Sequence, residues 1–377
     1  MSDKIRVGVI GAGNWALHGH LRVLSLLPEY EIVGVYARRQ EAAEKAAKLH
    51  NIKQVFASEG ALVSSPDVDM VAVLNTAPQH AASLRLAIAA GKNVYSEWPL
   101  TTNTATAEEL VKLANDAKVR HAVGLQRRIA PNNRYVRDLI RRGYIGKIRS
   151  VRMHISMNYL QAHRTKALAW TAPPENFSGV VQIYAGHFLD MLFAAVGKPV
   201  EIYAHMVNQF DKVTIVETGE VIETTTADQL VLSGDLGNNA VLSVHIEGGK
   251  RNGSGVQIDI TGDAGDLRIT NSSAFGDLGE DYLIEGSSGN NEDLKELPVP
   301  ASYNWLPESN LPSSVLELAN LYAAFARGFG GDDAAPSLED GLWLHRLFDA
   351  FARSNETGRR LSVRDSSKLV LPNLAAD

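Results

Sequence analysis

From residue 4 to about residue 126, short apolar runs alternate with stretches whose apolar positions recur every three or four residues. That alternation predicts strand–helix–strand units and a parallel sheet covered on both faces. The strands expected are Arg6–Ile10, Glu31–Tyr36, Gln54–Ala57, Met70–Asn75, Asn93–Ser96 and His121–Leu125. Helices are expected at Trp15–Leu27, Gln40–His50, Gln79–Ala90 and Thr106–Ala117, and six strands fit a doubly wound domain. One more amphipathic helix, Arg134–Arg142, stops at Gly143, and the period then changes to two. Along Val241–Glu247, Leu242, Val244 and Ile246 fall on one face and Ser243, His245 and Glu247 on the other. Strands are expected at Ile148–Tyr159, Val200–Asn208, Gln229–Leu236, Ala240–Glu247, Val256–Gly262 and Leu267–Thr270, with turns at Asn238-Asn239 and Asp263–Gly265. Two helices, Ser314–Gly328 and Glu339–Ser354, close the chain, and Asn271–Leu294 carries the most disordered pattern. The fold class is α/β: a doubly wound Rossmann domain over 1–126, then an α/β domain over 127–377 with a large, mostly antiparallel, open-faced sheet.

Composition narrows the chemistry. The 377 residues include no cysteine, which excludes thiolate nucleophiles, thiolate metal sites and disulfide scaffolds. The net charge of −6 is modest, and the basic pairs Arg38-Arg39, Arg127-Arg128, Arg141-Arg142 and Arg359-Arg360 are scattered, so direct nucleic-acid binding is not expected. Apolar sequence begins at Ile5 with no room for a leader ahead of it, and no run reaches about 18 uninterrupted apolar residues, so a cytoplasmic protein without a membrane span is expected.

The strongest motif follows the first strand. Val7-Gly8-Val9-Ile10 runs into Gly11-Ala12-Gly13-Asn14-Trp15-Ala16 and then into helix, the G-x-G-x-x-A pattern of a dinucleotide-binding turn. Gly11 permits the tight turn, Gly13 lets backbone approach a pyrophosphate, and Ala16 allows close helix–sheet packing. At the end of the second strand, where a carboxylate would take the ribose hydroxyls of NAD, the chain reads Tyr36-Ala37-Arg38-Arg39. Paired guanidiniums suit a 2′-phosphate, which favours NADP; one arginine stacking on adenine would leave NAD open. His18 and His20 stand two apart on a helix, point to different faces and have no third partner, so no metal site is assigned.

Further motifs bring a family into view: Asn75-Thr76-Ala77-Pro78-Gln79-His80, Ala90-Gly91-Lys92-Asn93-Val94-Tyr95-Ser96-Glu97-Trp98-Pro99, Gly124-Leu125-Gln126-Arg127-Arg128, Gly186-His187-Phe188-Leu189-Asp190 and Ser337-Leu338-Glu339-Asp340-Gly341. Across nearly the whole chain the sequence resembles the glucose-fructose oxidoreductase, inositol dehydrogenase and rhizopine-catabolism family. The resemblance implies a Rossmann domain followed by an open-faced sheet that joins subunits into dimers or tetramers. It also implies a sugar, polyol or related carbonyl substrate over the nicotinamide. It places Asn75, Thr76, Pro78 and His80 along the cofactor and Glu97 on its nicotinamide side. Two positions depart from the family pattern. Its usual Glu-Lys-Pro reads Glu97-Trp98-Pro99, and the aspartate expected four residues before His187 is Ile183. Indole has no accessible titration, whereas carbinol chemistry needs a group that takes and returns a proton near neutral pH. His187 is the remaining candidate. Tyr159, Arg164, Lys166 and Tyr184 are further polar residues that could face the substrate. Glu-Trp-Pro also marks a branch of the family, the galactose-regulon repressors, which bind dinucleotide and a protein partner without catalysis. Two readings stand: an NAD(P)-dependent oxidoreductase using His187, or a dinucleotide-binding regulator in which Trp98 fills the space beside the nicotinamide.

Overall fold

The computed structural model describes residues 4–158, 160–252, 255–274, 281–306 and 309–364. The chain divides into two compact units, one formed by residues 1–131 and 304–342, the other by 132–303 and 343–377.

In the first unit, six strands make a sheet in the order β3-β2-β1-β4-β5-β6: β1 Ile5–Ile10, β2 Tyr30–Tyr36, β3 Gln54–Val55, β4 Met70–Val73, β5 Asn93–Ser96 and β6 His121–Val123. All neighbours are parallel, as a doubly wound sheet requires. All four residues of β4 are buried, which explains its unbroken apolar run: helices cover both of its faces. The order reverses beside β1, whose neighbours are β2 and β4. The helices are α1 Leu21–Leu26, α2 Gln40–His50, α3 Glu59–Val63, α4 Ala77–Ala89 and α5 Thr104–Ala117. Asn103 caps α5 by accepting from the Thr106 amide at 2.9 Å, and α2 ends on Asn51 in the left-handed region at φ 54°. The α3 helix was not expected, because its five residues are too few to show a helical period; Ser58 starts it by accepting from the Ala61 amide. The single helix expected over Trp15–Leu27 begins instead with a π turn, Ala16–His20, before α1. That turn leaves His18 exposed and buries His20 completely.

The second unit is built on a nine-stranded sheet in the order β17-β16-β15-β14-β7-β13-β12-β9-β18. A helix, α6 Pro131–Arg141, leads into β7 Ile148–Ser156. A small side sheet of β8 His163–Arg164, β10 Lys212–Ile215 and β11 Val221–Glu223 buries Ala172, Val213 and Ile215. The remaining strands of the large sheet are β9 Glu201–Val207, β12 Gln229–Asp235, β13 Val241–Glu247, β14 Gly255–Gly262, β15 Gly265–Asn271, β16 Leu283–Ser288, β17 Lys295–Glu296 and β18 Leu361–Ser362. Its pairs are antiparallel except β7 with β13. Asn238 and Asn239 both take positive φ, 54° and 64°, between β12 and β13, so the expected turn is there. The period of two is realised across the sheet: Met153, Ala204, Leu232, Val244 and Ile258 are buried, while Arg152, Tyr203, Val231 and Ser243 are exposed on the other face.

Two expectations change here. β16 lies inside the segment read as disordered and pairs with β15 through six residues, Leu283 to Ser288; only Leu283 and Ile284 are large apolar residues, so its pattern is weak. Residues 275–280 of that segment lie outside those described. The helix α7 Gly186–Val196 was also unforeseen, because the run is apolar on every side and shows no amphipathic period. The stretch Pro174–Val196 has a mean hydropathy of 1.4 and could cross a membrane by length, but 72% of its window is buried within the protein, as in a core helix.

The return of 304–342 to the first unit follows from α8 Ser313–Arg327, which buries Leu318, Leu321 and Tyr322 in one cluster with Leu21, Leu24 and Tyr30. Arg327 pairs with Glu29 at 2.8 Å, and the Val123 amide donates to the Pro336 carbonyl at 2.8 Å beside β6. α9 Leu338–Thr357 begins in this segment. A division at 126/127 follows the change of pattern along the chain, whereas the contacts also assign 304–342 to the first unit; the period of α8 reveals an apolar face but not its partner.

Candidate functional site

The C-terminal ends of β1, β2, β4 and β5 carry the residues singled out for dinucleotide binding. Gly11 takes φ +108°, and a Cβ there would stand 2.7 Å from the Leu74 carbonyl carbon and 2.8 Å from the Asn75 amide nitrogen. Only glycine lets the turn lie this close to the chain leaving β4. Gly13 faces open space, with nothing within 4 Å of where a Cβ would stand, and Gly13 and Asn14 are exposed. Ala16 is 2% exposed against the sheet. The Trp15 ring lies over Gly19, at 3.0 Å from where a Cβ would be, and meets His20 edge-on at 5.8 Å.

Arg38 and Arg39 follow β2, are exposed, and carry no ion pair among the described residues. With no described carboxylate drawn to neutralise them, their charge stays available to an anion.

At the end of β4, Asn75 donates from Nδ2 to Ser83 Oγ at 3.1 Å, and Ser83 donates to Glu59 at 2.9 Å. Asn75 Oδ1 is buried without a hydrogen-bond partner among the described residues, an acceptor suited to a ligand that brings a hydroxyl or an amide. Thr76 precedes α4, and Pro78 lies exposed in its first turn. His80 is buried, with Nδ1 2.8 Å from the Pro99 carbonyl and Nε2 2.9 Å from the Asn75 carbonyl. Burial lowers its pKa, and a neutral ring donates from one nitrogen at a time. His80 thus lies between the loop after β5 and the loop after β4, donating to one of the two carbonyls at a time. Trp98 is 4% exposed and precedes Pro99 through a cis peptide.

Glu97 sits directly after β5 with a side chain 15% exposed. Its Oε1 accepts from Tyr95 Oη at 2.6 Å and lies 2.9 Å from His20 Nε2, an electrostatic contact off the line of a straight hydrogen bond. His20 Nδ1 meets Tyr322 Oη at 2.9 Å, and the rings of Tyr95 and Tyr322 stack with centroids 5.0 Å apart. Gly124 makes room for the group: a Cβ there would stand 2.6 Å from Tyr95 Oη and 2.9 Å from Glu97 Oε1. Sequence reasoning missed Tyr95, Gly124 and Tyr322 as functional neighbours and weighed His20 only as a metal ligand. The one signal was a polar histidine two residues from another on a helix expected to be amphipathic.

In the second unit, His187 is 6% exposed in the first turn of α7, and Ile183 is half-buried in the preceding π turn Val180–Ala185. Arg164 is buried and donates to Thr171 Oγ1 at 3.0 Å and to the Gln161 carbonyl at 3.2 Å, so it organises its own loop. Burial pushes the Tyr184 hydroxyl up to about 12, opposed by the charge of Arg164. Lys166 is exposed, and Tyr159 lies outside the described residues.

Comparisons with known proteins match both parts of the chain. Residues 5–125 match the family model of the oxidoreductase family with an NAD-binding Rossmann fold, and residues 131–271 match that of the Gal80p C-terminal domain. Dehydrogenase aclE of Aspergillus oryzae is 27% identical over 97% of this chain and 100% of its own length. The galactose/lactose metabolism regulatory protein GAL80 of Saccharomyces cerevisiae is 25% identical over 96% of this chain and 95% of its own. The crystal structure of a super-repressor mutant of Gal80p from the same yeast shares the fold with a TM-score of 0.85 at 23% identity, covering 97% of this chain and all of that one. These matches show an NAD-binding Rossmann domain of the oxidoreductase family over residues 5–125, followed by a domain of the Gal80p C-terminal type over residues 131–271.

Proposed function

We propose that the protein is an NADP-dependent oxidoreductase acting on a sugar, polyol or related carbonyl compound, with His187 moving the proton. The observation that carries the cofactor reading is the set of groups at the ends of β1, β2 and β4: the Gly11 turn, two exposed arginines without ion pairs among the described residues, and a buried acceptor on Asn75. Each matches a different part of a dinucleotide. A bound nicotinamide supplies a hydride donor or acceptor; the chain supplies orientation and a proton path. Trp98 and Ile183 bring no titrating group to the family's acid/base positions, which leaves His187. The full-length likeness to a dehydrogenase supports the enzymatic reading.

A second reading has its own observation. The Gal80p-type second domain and the buried Trp98 favour a regulator that binds dinucleotide and a protein partner. One experiment separates the two: nicotinamide absorbance followed with purified protein, NADP or NADPH, and fractionated small metabolites. Turnover in one fraction establishes the enzyme and yields its substrate. Tight binding without turnover in any fraction favours the regulator. Replacing Arg38 and Arg39 with alanine is expected to weaken NADP about tenfold or more relative to NAD, measured by tryptophan fluorescence; equal losses would remove the 2′-phosphate assignment.

Under either reading, the open face of the large sheet is assigned to self-association with a second copy. It exposes Tyr203, Val231 and Val241 among charges of both signs, Arg152, Asp259 and Arg268, a mixture that can complement itself across a two-fold axis.

A further inference from the structure

Glu97 is a carboxylate held in place from behind. Three buried groups converge on it in sequence: Tyr322 Oη on His20 Nδ1, His20 Nε2 on Glu97 Oε1, and Tyr95 Oη on the same Oε1. Burial raises the pKa values of the Tyr95 and Tyr322 hydroxyls well above the usual phenol range, with the charge of Glu97 adding to the effect, so both keep their protons. Tyr95 donates to Glu97 Oε1, His20 Nε2 lies 2.9 Å from the same oxygen, and Tyr322 Oη meets the other nitrogen of that ring at 2.9 Å. His20 is completely buried, as are both tyrosines, so little solvent screens the Glu97 charge from within.

The sheet order says which part of a dinucleotide meets this carboxylate. With Arg38 and Arg39 after β2 holding the adenosine end and the Gly11 turn after β1 facing the pyrophosphate, the other end runs toward β4 and β5. Glu97 is the first residue after β5. The two redox states of that end differ in charge: oxidised nicotinamide is a cation and reduced dihydronicotinamide is neutral.

We infer that Glu97, held by His20, Tyr95 and Tyr322, makes the site a redox-state discriminator that favours the oxidised over the reduced dinucleotide. The inference rests on the dinucleotide reading above but applies whether the protein turns over or only binds. Under the enzymatic reading, it favours release of the reduced product; under the regulatory reading, it lets occupancy report the oxidised-to-reduced ratio of the pool.

The test is equilibrium binding of NADP and NADPH, and of NAD and NADH, to the full chain, read by tryptophan fluorescence and calorimetry. Glu97→Gln keeps the shape and removes the charge. It is expected to shift the ratio of the two dissociation constants toward the reduced form by about fivefold or more. Tyr322→Phe keeps the ring stack but frees His20 to reorient, and is expected to move the ratio the same way by less. Thermal melts confirm that each variant is folded; if Glu97→Gln does not fold, Tyr322→Phe alone decides, and an unchanged ratio there overturns the inference. An unchanged ratio in a folded Glu97→Gln variant that still binds both forms also overturns it, and leaves the dinucleotide reading intact. Failure of the unaltered protein to bind any of the four overturns both.

Discussion

At the scale of single residues, the chemistry turns on what stands at three positions. Trp98 and Ile183 replace groups that would titrate, and an indole nitrogen donates without exchanging its proton near neutral pH. His187 therefore carries the whole proton-transfer role in the enzymatic reading. His187→Ala is expected to lower kcat by about 10²- to 10⁴-fold while leaving the dissociation constant of NADP within about twofold, checked by steady-state kinetics and fluorescence titration; an undiminished kcat would remove His187 from the reaction. Gly11, Gly13 and Ala16 were legible in the sequence because a tight turn demands particular small residues at particular spacings. The partners of Glu97 were not, since His20 and Tyr322 meet across 302 residues of chain and no local pattern encodes that.

At the scale of elements, the chain's periods decide which segments become strands and helices wherever one face meets solvent. They fail where an element is apolar all round, as in α7, or carries few large apolar residues, as in β16. The π turn before α1 was equally invisible, because one extra residue per turn shifts a face without disturbing composition. The segment that returns to β6 gives a prediction of its own. Burial alone would raise the pKa of the Asp340 carboxyl, but Arg128 at 2.7 Å and Ser337 outweigh it and hold the carboxyl below the usual range. A carboxyl depressed in the folded state adds stability above its unfolded value of about 3.9 and loses it as pH falls through the folded one. Asp340→Asn is therefore expected to lower stability by about 1–2 kcal/mol at neutral pH and by much less near about pH 3. Denaturant melts at both pH values check it; equal losses would show that packing, not charge, holds the segment.

At the scale of the whole molecule, the open sheet face exposes apolar residues, Tyr203, Val231 and Val241, beside charged ones. Val231→Lys with Val241→Lys is expected to convert an oligomer to monomer in sedimentation equilibrium with little change in melting temperature, since both side chains are exposed already, 47% and 58%. A species unchanged by the pair would move the self-association surface elsewhere. The change of period near residue 126 marks where the pattern of the chain alters, but it does not reveal that residues 304–342 join the first unit.

That interleaving bears on how the protein is made. During synthesis the first 131 residues emerge with their strands and helices complete, yet the Tyr322 side of their core is still to be translated. Residues 304–342 leave the ribosome only after all of 132–303 has appeared. At roughly 5–20 residues per second, the Rossmann half waits on the order of ten seconds or more with an apolar surface uncovered. The surroundings of Glu97, which reach Tyr322 through His20, are thus among the last parts of the nascent chain to mature, although the glycine turn after β1 is among the first to be made.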